Sequence, residues 1–193
     1  MTGDLSNGWD AIAGTSMAAR SRIGADVVRR WARHLPPGGA VVDVGCGAGI
    51  PISETLIGEG FQLFALDASP ALVAAFRRRF PGIDVACEAA QDSPLFGRQF
   101  DGAVAIGLLF LLTAADQRRV IHRVAGALVQ GGRFLFSAPR SPATWHDSLT
   151  GRPSLSLGIE EYRLILADCG LRISDSHEDE GANHYIDAVK DVP

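Results

Sequence analysis

Short apolar runs alternate with amphipathic stretches along most of the chain. Runs rich in Val, Ile, Leu, Phe and Ala predict buried strands at residues 40–44, 62–66, 83–87, 100–106 and 133–137. Apolar residues at three- and four-residue steps predict helices at residues 9–34 (one or two helices), 51–59, 70–80, 115–128 and 159–169. Strands that alternate with helices form a mostly parallel sheet covered on both faces, so the pattern predicts an α/β fold.

The C-terminal part departs from this alternation. Two predicted strands, 171–177 and 184–190, follow each other with no helix between them. Strands joined by a short loop pair antiparallel, so we expect a C-terminal antiparallel hairpin. Residues 138–157 are rich in Pro, Ser and Thr, and we expect a long irregular loop there.

Length and composition indicate one globular domain. The chain has 193 residues, of which 47% are hydrophobic and 21% charged. A net charge of −4 offers no broad basic surface for nucleic acid. The three cysteines show no C-x-x-C spacing, and this predicts neither a zinc site nor a disulfide framework. The N-terminus lacks a signal-peptide pattern, and the apolar stretch 103–115 is too short to span a bilayer, so we expect a cytoplasmic protein with no membrane segment.

The most informative segment is Val41–Ile50, in which a β-branched run leads into glycines at alternate positions. Such a turn lets a ligand approach bare backbone, because glycine has no Cβ and tolerates positive φ. A dinucleotide fingerprint, G-x-G-x-x-G, would require glycine at position 50, which is Ile50. The chain instead reads D-x-G-x-G-x-G, with Asp43 first and Gly49 last. This pattern resembles motif I of the class I S-adenosylmethionine-dependent methyltransferases.

Further segments strengthen the resemblance, which extends over Val41–Phe136, about half of the chain. Asp67 ends the second predicted strand, 18 residues after Gly49, where a carboxylate accepts hydrogen bonds from ribose hydroxyls. The segment 87–94 resembles the family's adenine-reading segment, and 100–112 resembles its motif IV. A glycine pair at 131–132 resembles the turn into the fifth strand.

The resemblance implies a three-layer sandwich with a seven-stranded, Rossmann-like sheet, in which one antiparallel strand lies at the edge. It also implies S-adenosylmethionine as cofactor. We divide the chain into a helical lid (1–35), a cofactor-binding core (40–137) and a part with a substrate loop, a helix and the hairpin (138–193). The residues carried over as cofactor-binding are Asp43, Gly45, Cys46, Gly47, Gly49, Asp67, Ala68, Ala90, Gln91 and Ile106. Ala89 stands where the family often has an acid for the adenine amine, so backbone groups of Ala90 or the Gln91 side chain would substitute.

The acceptor is expected beyond the carboxyl ends of the strands, where ligands bind in open α/β sheets. The candidate substrate residues are Trp9, Met17, Arg20, Phe110, Trp145 and Tyr185. His146 and His184 are candidate general bases, since histidine titrates near neutrality. No recognised ligand spacing indicates a metal site.

The function predicted from these features is methyl transfer to a nucleophilic atom of a small molecule. The small size and acidic balance favour a metabolite over a protein or RNA substrate. One alternative is a non-catalytic module that binds S-adenosylmethionine or S-adenosylhomocysteine. Another is an NAD(P)-dependent oxidoreductase, although this class predicts glycine at position 50 and a parallel finish to the sheet. The sequence leaves the oligomeric state open.

Overall fold

The computed structural model describes residues 4–19 and 21–192 of the chain. The main sheet is built from β1 (Ala40–Val44), β2 (Gln62–Asp67), β3 (Asp84–Cys87), β4 (Phe100–Ala105), β5 (Leu128–Ser137), β8 (Leu171–Glu178) and β9 (His184–Lys190). The helices are α1 (Ala13–Ala19), α2 (Ala25–Ala32), α3 (Ile52–Gly58), α4 (Pro70–Arg79), α5 (Ala114–Ala127) and α6 (Ile159–Asp168). Two short strands, β6 (Ala143–His146) and β7 (Pro153–Ser156), pair separately, and 3₁₀ turns lie at Leu95–Gly97 and Leu109–Leu111.

The main sheet has seven strands in the order β3-β2-β1-β4-β5-β9-β8. Strands β1 to β5 are parallel, and β9 runs antiparallel to both of its neighbours. The predicted α/β class and the C-terminal hairpin are therefore confirmed. The expected position of the antiparallel strand was wrong, because β9 lies inside the sheet and β8 forms its edge. Burial explains the order: β9 has a central run of buried residues, whereas most of β8 is exposed.

Helices cover both faces of the sheet and complete three layers. On one face, α5 and α6 pack over a core that includes Ile121, Phe136 and Tyr162. On the other, α2, α3 and α4 pack over a core that includes Trp31 and Phe76. This arrangement leaves the carboxyl ends of the parallel strands uncovered by the packed helices, as the resemblance implies.

The segment 138–157 is not the irregular loop that we expected. Strands β6 and β7 pair antiparallel within it, from Ala143 opposite Ser156 to His146 opposite Pro153. Asp147 organises the connecting turn, since its Oδ1 accepts the Thr150 N–H at 2.7 Å and the Thr150 hydroxyl at 2.9 Å. Such side-chain-to-backbone bonds define a turn that composition alone does not reveal.

A buried ion pair links the α2 layer to the sheet. Asp187 on β9 is fully buried and accepts a hydrogen bond from Trp31 Nε1 at 3.1 Å. Its other oxygen lies 2.5 Å from Nη2 of Arg133, which belongs to β5. The carboxylate therefore joins two strands and one helix at a single point.

Within the described part of the chain, every helix is too short or too polar to cross a bilayer.

Candidate functional site

The first cleft opens at the carboxyl ends of β1, β2 and β4. The cofactor-binding candidates that line it are Gly45, Gly47, Asp67, Ala68, Ala90, Gln91 and Ile106. These residues come from four separate loops, and the parallel strands bring them to one edge. This is where an open α/β sheet binds its ligand.

The glycine turn after β1 is tied to the end of β2. The backbone N–H groups of Gly45 and Cys46 both donate to the Leu66 carbonyl oxygen, at 2.8 and 3.0 Å. Gly45 has a φ of +78°, and a Cβ there would lie 3.1 Å from Leu108. Glycine is therefore required by the backbone conformation and by the close approach of the opposite wall.

Asp67 connects this turn to the helix that follows β2. Its Oδ2 accepts the Gly47 N–H at 2.9 Å, and its Oδ1 accepts the Ser69 N–H at 2.8 Å. Ser69 itself is the N-cap of α4, since its hydroxyl accepts the Leu72 N–H. Asp67 is not the cap of α4, and it stays partly exposed in the wall of the cleft.

Three carried-over residues lie behind the cleft and do not line it. Asp43 is 2% exposed and accepts a hydrogen bond from Ser53 Oγ at 2.5 Å. Cys46 is buried in the core, and this burial raises the pKa of its thiol. Gly49 lies against Phe80, whose Cε2 would be 2.5 Å from an added Cβ. These positions support the shape of the turn from inside, because their side chains or hydrogens face the core.

The N-terminal segment forms one wall of the first cleft through Leu5, Ser6, Asn7 and Trp9. Asn7 Nδ2 donates to the Leu111 carbonyl at 2.8 Å. On the other side, Asp10 Oδ1 accepts hydrogen bonds from Ser69 Oγ at 2.6 Å and from the Ala71 N–H at 2.9 Å. These bonds, the serine first, hold the pKa of Asp10 below its usual value. The segment is thus attached on both sides of the cleft.

A second, larger cleft adjoins the first. Trp9, Ile106 and Gly107 belong to the walls of both clefts. Of the predicted substrate residues, Phe110, Trp145 and Tyr185 also line the second cleft. Met17 lines neither cleft and is exposed at the surface. Arg20 lies outside the described residues.

Aromatic side chains form one side of the second cleft. The Phe110 and Trp145 rings lie 5.5 Å apart at an angle of 45°. Tyr185 is 2% exposed, and its hydroxyl donates to Asp179 Oδ2 at 2.7 Å. Burial and this neighbouring carboxylate raise the pKa of Tyr185. The phenol is therefore engaged in the fold, whereas the tilted pair of Phe110 and Trp145 presents apolar ring atoms to the cleft.

His184 is the only one of the two candidate bases that lines a cleft. Its Nδ1 lies 3.2 Å from the Ala138 carbonyl oxygen, so the neutral ring carries its proton on Nδ1 and has its lone pair on Nε2. Nε2 is buried and has no hydrogen-bond partner in the described part of the chain. Burial lowers the pKa of His184, which keeps the ring neutral at neutral pH.

His146, the other predicted base, lies outside both clefts. Successive side chains of a strand point to opposite faces. Trp145 faces the second cleft, so His146, the next residue of β6, is directed away from it and is exposed.

Several lining residues escaped the sequence interpretation. Asn7, Glu88, Leu108 and Leu112 line the first cleft, and Arg140 and Asn183 line the second. Glu88 could have been predicted to line the cleft, since it is an acid directly after β3. The others come from segments whose path depends on tertiary contacts. Across residues 4–19 and 21–192, no three His, Cys, Asp or Glu side chains group closely enough to hold a metal ion.

A family profile described as a methyltransferase domain matches residues 41–132, from β1 to the glycine pair within β5. The part of the chain from β1 into β5 therefore has the sequence of a methyltransferase domain. Solved methyltransferases share its fold. An amino pentose methyltransferase from Micromonospora echinaspora gives a TM-score of 0.73 at 19% identity, over 93% of this chain and 96% of that one. The 1,6-didemethyltoxoflavin-N1-methyltransferase of Burkholderia thailandensis gives 0.75 at 17% identity, over 95% and 84%.

Sequence relatives of the chain include methyltransferases of ubiquinone biosynthesis and of ribosomal RNA. The ubiquinone biosynthesis O-methyltransferase of Xanthomonas axonopodis pv. citri is 32% identical over 163 residues, which cover 82% of this chain and 60% of that protein. The ribosomal RNA small subunit methyltransferase C of Chromohalobacter salexigens is 38% identical over 109 residues, covering 53% and 32%. The chain spans 48–60% of the length of the ubiquinone-biosynthesis relatives that it matches.

Proposed function

We propose that the chain transfers a methyl group from S-adenosylmethionine to a small-molecule acceptor. The observation that carries the proposal is the junction of the two clefts at Trp9, Ile106 and Gly107. A donor in the first cleft and an acceptor in the second would meet there. Holding two reactants in line is the main requirement of this reaction, because the donor is intrinsically reactive.

The residues of the first cleft fit an adenosyl sulfur compound. Gly45 and Gly47 leave the end of β1 open, so that the methionine portion can lie along bare backbone. The Asp67 carboxylate offers several lone pairs to the two ribose hydroxyls. Ala90 and Gln91 lie where the adenine edge would be read, and Glu88 adds an acid to the same wall. Bound S-adenosylmethionine would supply the methyl group on a positively charged sulfur.

His184 is the general base in this proposal. Its Nε2 would accept the proton of an acceptor hydroxyl or amine as that group becomes the nucleophile. The Ala138 carbonyl fixes the tautomer that this role needs. The aromatic pair of Phe110 and Trp145 suits a planar acceptor lying beside it. The names of the ubiquinone-biosynthesis relatives support an oxygen nucleophile.

The alternatives fit the site less well. An NAD(P)-dependent oxidoreductase would place a diphosphate on the turn, but Ile50 replaces the third glycine of that fingerprint, and the last strand of the chain, β9, runs antiparallel to its neighbours. A binding module would not need a second cleft with a buried, unprotonated imidazole nitrogen. A metabolite suits the net charge of −4 better than RNA does. Three free thiols in the described residues fit a reducing, cytoplasmic location.

Calorimetry with S-adenosylhomocysteine tests the cofactor assignment. We expect Asp67→Ala to weaken binding at least tenfold, about 1.4 kcal/mol, because bonds to a charged acceptor are lost. Asp67→Asn keeps one acceptor oxygen and should lose less. The matched control is Asp84→Ala, an exposed carboxylate at the opposite end of the neighbouring strand β3. Unchanged affinity in Asp67→Ala would refute the ribose contact.

Methyl transfer itself is tested with radiolabelled donor on fractionated metabolites, total RNA and protein. The proposal predicts label in a small molecule, and His184→Gln should slow its incorporation without weakening S-adenosylhomocysteine binding. Label found only in RNA would assign the acceptor to another class. Binding of the donor with no transfer to any fraction would favour the binding module.

A further inference from the structure

Gln117 is a polar side chain in the middle of an apolar face. It lies in the first turn of α5, one turn before Val120 and Ile121, and it is completely buried. Burying an amide costs free energy unless its hydrogen bonds are made. An apolar residue would fit this face without that requirement, so the bonds of Gln117 indicate what the residue contributes.

All polar atoms of this side chain are used, and they join three elements. Nε2 donates to the Leu112 carbonyl at 3.0 Å and to the Leu155 carbonyl at 2.8 Å. Oε1 accepts the hydroxyl of Tyr162, which belongs to α6, at 2.7 Å. Leu112 directly follows the 3₁₀ turn Leu109–Leu111, and Leu155 belongs to β7.

The two backbone segments held by Gln117 carry the aromatic pair of the second cleft. Phe110 is the middle residue of the 3₁₀ turn, and Trp145 lies on β6, the partner strand of β7. In the register, Thr144 is opposite Leu155 and Trp145 is opposite Ser154. The Gln117 amide thus bonds to Leu112, two residues after Phe110, and to Leu155, which is opposite the neighbour of Trp145.

The hairpin formed by β6 and β7 depends on such attachments. It forms a separate two-stranded sheet, and an isolated hairpin of this kind is marginally stable. A second attachment is the bond from Ser156 Oγ to the Pro139 carbonyl at 2.8 Å, but this bond leads back to the end of β5 and not to the Phe110 turn. The connection through Gln117 is the side-chain hydrogen bond observed between the turn region and the hairpin.

We propose that Gln117 is a positioning residue of the acceptor site. By bonding to the carbonyls of Leu112 and Leu155, it sets the separation of the Phe110 turn and the Trp145 hairpin, and therefore the geometry of the aromatic surface on which the acceptor lies. The proposal rests on the proposed function only in taking the second cleft as the acceptor site.

Hydrogen exchange and tryptophan emission of the ligand-free protein test this role. Gln117→Met keeps the approximate volume and removes both amide donors. We expect amides of β6 and β7 to exchange about tenfold faster or more, while those of β1 and β4 keep their protection. The emission of Trp145, obtained as the difference from Trp145→Phe, should change in intensity and in quenching by acrylamide. Gln117→Glu retains the acceptor for Tyr162 and supplies at most one donor, so a smaller effect of the same sign is expected.

Tyr162→Phe is the control, because it leaves both bonds from Gln117 Nε2 to the backbone intact. It removes the bond to Gln117 Oε1 and the acceptor of the Leu157 N–H, which directly follows β7. It should lower the melting temperature and speed exchange at Leu157, while the Trp145 signal and the exchange of β6 and β7 stay as in the unchanged protein. The proposal is overturned if Gln117→Met leaves both readouts unchanged, or if Tyr162→Phe loosens the hairpin equally. Neither result depends on S-adenosylhomocysteine binding, so a failure here is distinct from a failure of the cofactor assignment.

Discussion

Removing the buried carboxylate of Asp187 should destabilise the protein strongly. Asp187→Ala leaves the Arg133 guanidinium, whose side chain is only 14% exposed, without its carboxylate. It also removes the acceptor of the buried Trp31 N–H. Breaking a buried ion pair from one side costs about 3–5 kcal/mol. Arg133 keeps a bond from Nη2 to Ser174 Oγ at 3.1 Å, so we expect the lower end, about 3 kcal/mol.

Urea and thermal denaturation measure this loss. For a chain of this size, each kcal/mol moves the melting temperature by about 2–4 °C, so the expected decrease is about 6–12 °C. Asp175→Ala is the control, because Asp175 is an exposed carboxylate on β8, directly opposite Asp187 in the register. Replacing both members, Arg133→Met with Asp187→Leu, should restore part of the stability, since no unpaired charge remains buried. A loss below about 1 kcal/mol in Asp187→Ala would refute this account of the pair.

Three further outcomes follow from the site. Asp10→Ala should raise the dissociation rate of S-adenosylhomocysteine severalfold in stopped-flow fluorescence, because the N-terminal segment loses its bonds to Ser69 and the start of α4; an unchanged rate would contradict this role. Gly49→Ala should lower the free energy of unfolding by about 1–3 kcal/mol, since φ is +86° and the new Cβ would meet Phe80. A loss near zero in urea denaturation would contradict this prediction. Burial lowers the pKa of His184, so the fall in the rate of methyl transfer on the acid side should lie at lower pH than an ordinary histidine would give. His184→Gln should abolish this pH dependence.

The cofactor side of the molecule was predictable because its signals are local. The run Val41–Val44 and the glycines after it specify a strand and an open turn within ten residues. Asp67 follows the next strand, and parallel strands bring such residues to the same edge of the sheet. Boundaries of most helices and strands accordingly agree with the structure to within one to three residues, although β5 begins at Leu128 and not at residue 133.

The acceptor side was less predictable, since its order comes from contacts distant in sequence. The β6–β7 hairpin is attached through Gln117, which lies 38 residues from Leu155. A polar residue on the apolar stripe of α5 was visible in the sequence, but its partners were not. Likewise, Trp145 and His146 point in opposite directions because they are neighbours in a strand. The composition of 138–157 predicted a loop, so these directions could not be predicted from the sequence.

The role of individual glycine-turn residues was also beyond the sequence. Alternate glycines predict a ligand, but only the packing distinguishes residues that face it from residues that face inward. Gly45 and Gly47 line the cleft, whereas Cys46 is directed into the core and Gly49 contacts α4. One motif thus contains both the contact surface and its support.

Trp9 lines both clefts. The N-terminal segment that carries it is held by hydrogen bonds from Asn7 to the Leu111 carbonyl and from Ser69 to Asp10. On the proposed function, a donor bound in the first cleft would contact a residue that also lines the acceptor cleft. Such a shared partition favours compulsory-order kinetics, with the sulfur compound arriving first and its demethylated form departing last.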